Sequence, residues 1–171
     1  MASKNSHCSY CGHLFTACMP WPRQCARCGN FTFLNPIPVA VVLVPVDEGL
    51  VLIRRGIEPH EGMQALPGGY INLGETWQEA GAREVLEETG IHLDPGEIRE
   101  FAVRSAEDGT ILIFGLAHKR DSRALPSFFA TEETTERVIA EEPCPLAFRL
   151  HEEMVRRFFQ EKRRRKSPIG S

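Results

Sequence analysis

Three glutamates, Glu84, Glu87 and Glu88, stand at i, i+3 and i+4, a spacing that places them on one face of a helix. Carboxylates so close repel one another by roughly a few tenths of a kcal/mol per exposed pair, and more when partly buried, unless cations sit among them. Hard oxygen ligands at this density suit Mg²⁺ or Mn²⁺, which keep water and substrate phosphate oxygens in their remaining positions. Taken alone, the three read more simply as a solvated acidic face. Their sequence frame points the other way.

Four cysteines form a second constellation. Cys8-x2-Cys11 and Cys25-x2-Cys28 are separated by thirteen residues, and each pair is followed by a glycine, Gly12 and Gly29, able to turn the backbone beneath a metal. This is the spacing of a four-sulfur zinc ribbon. Disulfides and a redox pair are the alternatives, the first disfavoured by a cytoplasmic setting and the second having no need to occur twice. With all four ligands protein-derived, such a site is closed and structural. His7, His13, Cys18 and Cys144 read as bystanders.

The elements that must position these groups follow from local pattern. Thr76 can cap a helix with Glu79 as its capping-box partner, and Gly90 stops that helix after Thr89. Val39–Val46 and Leu50–Arg54 read as a hairpin around Asp47-Glu48-Gly49. Residues 56–62 read as a loop, and Ala65–Ile71 as an extended piece broken by glycines. Ile98–Arg104 and Thr110–His118 read as strands around Glu107-Asp108-Gly109, and Leu150–Glu161 as a terminal helix. The run Phe31–Pro38, with Pro36 and Pro38, is expected to be a joint that continues neither sheet nor helix.

The frame Gly69-x5-Glu75-x7-Arg83-Glu84-Val85-Leu86-Glu87-Glu88-Thr89-Gly90-Ile91 matches nine fixed positions over twenty-three, and on these residues the chain resembles the Nudix hydrolase family. The resemblance implies an α/β/α sandwich and hydrolysis of a nucleoside diphosphate linked to another moiety. It implies that Glu84, Glu87 and Glu88, with the main-chain carbonyl of Gly68, bind catalytic Mg²⁺ or Mn²⁺, and that Glu75 pairs with Arg83 as a brace. Gly69 and Gly90 serve the backbone. Glu87 or Glu88 takes the proton of the attacking water, or a later glutamate does so, here Glu133 or Glu136 in an acidic loop. The ribbon and the Asn35-Pro36 junction are similar to a zinc-ribbon Nudix subgroup acting on NADH, FAD or ADP-ribose. The Ser-Gln-Pro-Trp stretch of the NADH enzymes is missing from Phe101–Gly109, which favours the FAD and ADP-ribose branch. Domain expectations are therefore a zinc ribbon at 1–34, a Nudix hydrolase domain at 35–160 and a basic tail at 161–171.

Arg54 and Arg55, at a strand end, are candidates to fork onto phosphate oxygens, with surface ion pairs as the alternative. Phe33, Tyr70, Trp77 and Phe114 are candidates to stack a base or flavin, although most aromatic residues are core.

Charge narrows the remaining possibilities. The chain of 171 residues carries a net −3, of which residues 161–171 hold +4 and residues 1–160 hold −7, so nucleic acid is not the favoured partner. The run Val39–Val44 is too short for the roughly 20 residues of a membrane span, and the polar amino terminus is not a secretory signal. The expectation is a cytoplasmic enzyme with a nucleotide substrate, and a homodimer is open. The basic tail reads as a solvated end, a contact for an acidic partner or, in a eukaryote, a nuclear import signal. The competing functions are hydrolysis of modified nucleoside triphosphates or RNA caps, and a non-catalytic nucleotide- or nucleic-acid-binding module. A binding module has no reason to retain three mutually repelling glutamates with their brace.

Overall fold

The computed structural model describes residues 4–166. They divide between Pro36 and Ile37 into two compact units. The expected tail residues 167–171 lie outside the described residues.

In the first unit, β1 (Arg23–Gln24) pairs antiparallel with β2 (Phe31–Thr32). Its small core is Cys8, Phe15 and Cys25, with Cys11 and Met19 packed on it.

The second unit begins with β3 (Ile37–Leu43), β4 (Pro45–Val46), β5 (Gly49–Arg55), β6 (Gln64–Ala65) and β7 (Gly68–Tyr70). Then come α1 (Trp77–Thr89), β8 (Arg99–Ser105), β9 (Thr110–Leu116), β10 (Thr134–Ala140) and α2 (Arg149–Lys166). One sheet has the order β7-β3-β9-β8, with β3 and β9 parallel and the other pairs antiparallel. In the other, β5 is flanked by β10 on one edge and by β4 and β6 on the opposite edge.

Period-two alternation feeds two cores. Val41 and Leu43 of β3 join Leu50, Leu52, Phe114 and the α2 residues Met154, Val155 and Phe159. Val42 and Val44 point the opposite way, joining Val51 and the α1 residues Ala82 and Val85. Both faces of β3 are thus buried, which explains a continuous apolar run instead of polar alternation. The result is the expected α/β/α sandwich. Helix α1 lies so close to β3 that a Cβ on Gly81 would stand 2.7 Å from the Val42 side chain.

Several elements depart from the sequence reading. The hairpin around 47–49 exists only as Pro45↔Leu50 and Val46↔Gly49, because β3 leaves for the other sheet before Pro45. Pro38 lies inside β3, where its carbonyl accepts from Ile71 and, having no N–H to return, it ends the ladder toward β7. The acidic segment expected as a loop becomes strand β10 from Thr134, so Glu136 lies in a strand paired opposite Arg54. Helix α2 continues five residues beyond Glu161 into the basic run, consistent with the good helix propensity of Arg and Lys. Lys162 there reaches back to Glu48 at 2.9 Å.

Candidate functional site

Helix α1 starts and stops where its own side chains dictate. Thr76 Oγ1 accepts from the Glu79 N–H at 3.2 Å, and Glu79 Oε2 accepts from the Thr76 N–H at 2.7 Å. At the other end Gly90 adopts φ 74° and its N–H donates to the Leu86 carbonyl. These limits set Glu84, Glu87 and Glu88 toward the loop around β7.

Glu84 is pressed against that loop: a Cβ on Gly69 would lie 2.4 Å from Glu84 Oε1. Glycine at 69 is therefore what admits the carboxylate. Burial raises the Glu84 pKa, opposed by Arg83 and reinforced by the charges of Glu87 and Glu133. Glu88 lies deeper. Burial pushes its pKa up to about 8, although the Gly68 N–H donates to Oε2 at 2.9 Å; Glu84 and Glu133 raise it further and Arg55 lowers it. Glu87 is the most exposed of the three, its side chain 57% accessible.

Arg83 is the hub beneath them. Its Nε and Nη2 donate to the two oxygens of Glu75 at 2.7 and 3.0 Å, a bidentate fork that holds the Glu75 carboxyl at about 2. The same guanidinium reaches Glu84 at 2.7 Å, Glu87 at 3.2 Å and the Tyr70 carbonyl at 3.0 Å. It therefore holds the loop after β7 to two of the three helix carboxylates, beyond the Glu75 pairing expected from the sequence. The Tyr70 ring itself is exposed.

Adjacent positions at the end of β5 point to opposite faces and separate the two arginines. Arg54 turns to Glu136, Nε to Oε2 at 2.7 Å, and to the Gly62 carbonyl. Arg55 faces Glu88 and the buried His151, with its Nε donating to the Pro59 carbonyl at 2.8 Å and its guanidinium 5.1 Å from the Phe148 ring centroid. The candidate late glutamates separate likewise. Glu133 shares an electrostatic field with Glu84 and Glu88, whereas the Glu136 carboxylate is engaged by Arg54. The Glu133 segment is fixed by its carbonyl, which accepts from the Gly56 N–H at 2.8 Å.

Two proposed stacking residues are structural. Phe114 is fully buried, and the Trp77 ring packs against Gly115, where a Cβ would stand 3.0 Å from it. Phe33 is exposed. Phe148 and His151, which back Arg55, escaped the sequence reading because no spacing marks an isolated aromatic or histidine. His151 Nδ1 accepts from the Leu66 N–H at 3.2 Å, and burial, then Arg55, lowers its pKa to about 3.

In the first unit the four cysteine sulfurs all lie within 4.8 Å of one another, an arrangement able to hold one metal ion. The two knuckles repeat one pattern: the Gly12 N–H donates to the Cys8 carbonyl and the Gly29 N–H to the Cys25 carbonyl, with φ 68° and 74° at the glycines. Among the described residues no helix is long and apolar enough to cross a membrane.

Comparison with known proteins agrees with this geometry. The chain is 31% identical over 88 residues to a Shigella flexneri protein named NAD-capped RNA hydrolase NudC, a match spanning 51% of this chain and 34% of that relative. The crystal structure of a NUDIX hydrolase from Nitrosomonas europaea superposes with a TM-score of 0.76 at 26% identity, covering 93% of both chains. A Francisella tularensis bifunctional NMN adenylyltransferase/ADP ribose pyrophosphatase, complexed with AMP and Mn, gives 0.55 at 27% identity over 63% of this chain and 34% of that one. A family model described as the NUDIX domain matches residues 35–162, and with the box residues assembled on α1 as described, the chain belongs to the Nudix hydrolase family.

Proposed function

We propose that the protein hydrolyses the diphosphate bond of a nucleoside diphosphate linked to another moiety, of the FAD, ADP-ribose or NAD(H) type. The products are a nucleoside monophosphate and a phosphorylated partner. The observation that carries this reading is the convergence of Glu84 and Glu88 in a partly buried site, where burial and neighbouring carboxylates, Glu133 among them, raise the pKa of both and Arg55 is the cation opposing Glu88. Carboxylates kept together at such cost fit a site for divalent cations, with Glu84, Glu87, Glu88 and the Gly68 carbonyl as the donor set. Mg²⁺ or Mn²⁺ bound there would neutralise diphosphate oxygens and lower the pKa of an attacking water.

The chain's own groups do the rest. Arg83 and Glu75 hold the helix carboxylates in register with the β7 loop, and Gly69 leaves room for Glu84. Arg55, its guanidinium fixed by the Pro59 carbonyl and backed by Phe148, faces the site and forks onto a phosphate. Glu133 accepts the proton of the water as its oxygen forms the new bond to phosphorus and the bridging P–O bond breaks. Glu136 is not assigned this role, because Arg54 engages it. In the ribbon, Cys8, Cys11, Cys25 and Cys28 are assigned a structural Zn²⁺. Their Sγ–Sγ distances of 3.7 Å (Cys8–Cys28) and 3.6 Å (Cys11–Cys25) are close to the roughly 3.8 Å edge of a tetrahedron with 2.3 Å Zn–S bonds.

A panel of FAD, ADP-ribose, NADH and NAD-capped RNA, incubated with Mg²⁺ or Mn²⁺ and resolved by mass, tests the proposal. Capped RNA belongs in it because the Shigella relative carries that name and the bond cleaved is of the same kind. AMP plus a phosphorylated partner supports the reading. No turnover of any member by folded, metal-loaded protein contradicts it.

A further inference from the structure

The hydrolytic site leaves the ribbon without an assigned task beyond its own stability. Residues 1–38 hold Lys4, Arg23 and Arg27 and no carboxylate, a local +3, while the rest of the chain carries −6. A polyanion repelled by the body would be drawn to this unit. Its surface is also unusually aromatic: Tyr10 and Phe33 are 67% and 63% exposed, and Phe31 is exposed as well. The unit's own core does not use these rings.

Within the ribbon lies a cavity of about 550 Å³, lined among others by Lys4, Leu14, Phe15, Trp21, Arg23 and Leu34. That volume falls in the range of small-molecule sites, roughly 300–1,000 Å³. The Arg23 guanidinium lies 4.2 Å from the Trp21 ring centroid and 5.6 Å from that of Phe15, which meets Trp21 edge-on at 6.2 Å. Its plane is fixed by hydrogen bonds from Nε to the Met19 carbonyl at 2.8 Å and from Nη1 to the Asn5 carbonyl at 3.3 Å. Nη2 makes no hydrogen bond among the described residues. A guanidinium plane immobilised on an indole, with a spare donor, is a surface on which an unpaired base stacks and hydrogen-bonds.

We propose that the ribbon binds a single-stranded polynucleotide, taking one unpaired base onto the Trp21–Arg23 stack while Lys4 and Arg27 meet the backbone. A lone nucleotide would occupy the cavity but leave Arg27, Tyr10, Phe31 and Phe33 without a role; a strand uses charge and rings outside the cavity together. The body's acidity argues against duplex capture by the whole molecule, and the ribbon is the local exception to it.

The test is fluorescence anisotropy of a labelled mixed-sequence oligonucleotide bearing a 5′-hydroxyl, titrated with the full zinc-loaded chain. Lacking a diphosphate, this probe offers the hydrolytic site nothing to cleave, so failure here and failure of the proposed hydrolysis are separate results. Saturable binding is expected, with a log–log salt slope of about −1.4 for the two backbone-facing cations, Lys4 and Arg27, at roughly 0.7 per phosphate on single strands. Trp21→Leu should weaken it by roughly tenfold through lost stacking. Lys4→Glu, on the exposed rim where folding is not at stake, should make the slope shallower by roughly one cation's share. RNA and DNA versions of the probe separate 2′-hydroxyl contacts from the shared strand chemistry. No binding at 50 mM salt, equal binding of a sulfated polysaccharide lacking bases, or unchanged affinity in both variants would overturn the proposal. Zinc content identifies any variant that has lost its fold, in which case Lys4→Glu decides.

Discussion

Two adjacent glycines make a contrast that the geometry quantifies. A Cβ at Gly68 would lie 2.3 Å from the Ala40 carbonyl oxygen and 2.7 Å from the Val41 Cα, both backbone atoms of β3. A Cβ at Gly69 would lie 2.4 Å from Oε1 and 2.5 Å from Cδ of Glu84, the free end of a side chain. Gly68→Ala must therefore prise β7 from β3, with an expected loss of about 2 to 3 kcal/mol as an overpacked site. Gly69→Ala can be absorbed by Glu84 alone, which must retreat about 1 Å to turn a 2.4 Å approach into an ordinary 3.4 Å contact. That retreat disrupts the 2.7 Å bond to Arg83 and moves one of the three helix carboxylates. Misplacement by about 1 Å costs roughly a hundredfold in rate, whereas the fold should lose less than about 1 kcal/mol. Urea unfolding and initial rates on ADP-ribose with Mg²⁺ separate the two effects. If Gly69→Ala retained activity within about threefold of the parent, or unfolded as readily as Gly68→Ala, the assignment of Gly69 as the seat of Glu84 would be wrong.

Other expectations follow from single residues. His151 is buried with a pKa of about 3, so the folded chain refuses a proton that the unfolded chain takes up below about 6.5. Its contribution is complete above pH 6.5 and is lost as pH falls toward 3, about 2 kcal/mol of it by pH 5. His151→Gln should shrink the stability difference between pH 7 and pH 5 by about that amount, and identical pH slopes would refute the burial argument. Glu133→Gln should lower kcat by roughly a hundredfold or more, while Glu136→Gln, which loses only an exposed pair with Arg54, should leave kcat within about threefold. The reverse ranking in steady-state rates would reassign the base. Cys28→Ser should drop bound zinc below one per chain and speed hydrogen exchange in residues 4–36, with the second unit still protected; stoichiometric zinc in the variant would refute the four-sulfur site.

Features set by short-range chemistry were legible in the sequence. The Thr76–Glu79 box and the Gly90 stop act within one turn, so α1 lies where its caps require. The four cysteines gather because each knuckle is closed by a local Gly12 or Gly29 bond. What eluded the reading depends on distant partners. Nothing in Val39–Val46 shows that the chain changes sheets before Pro45, since both sheets demand the same apolar residues. Strand β10 is disguised by Glu132, Glu133 and Glu136, charges tolerated on exposed positions while Thr134 turns inward. The separation of Arg54 from Arg55 becomes visible once β5 has a partner strand opposite which to place Glu136. Phe114 and Trp77 look alike as stacking candidates until packing buries Phe114 fully and sets the partly buried Trp77 ring against the second core cluster. Arg83 was assigned one partner, but it meets four groups because the loop after β7 folds back over α1.

The most direct test of the central claim is Mn²⁺ binding to the purified chain, followed by electron paramagnetic resonance, in the parent and in Glu84→Gln and Glu88→Gln. If these carboxylates form the cation site, the parent should titrate with saturable Mn²⁺ and each variant should lose at least tenfold in affinity while keeping its fold. Unchanged Mn²⁺ binding in both variants would contradict the account.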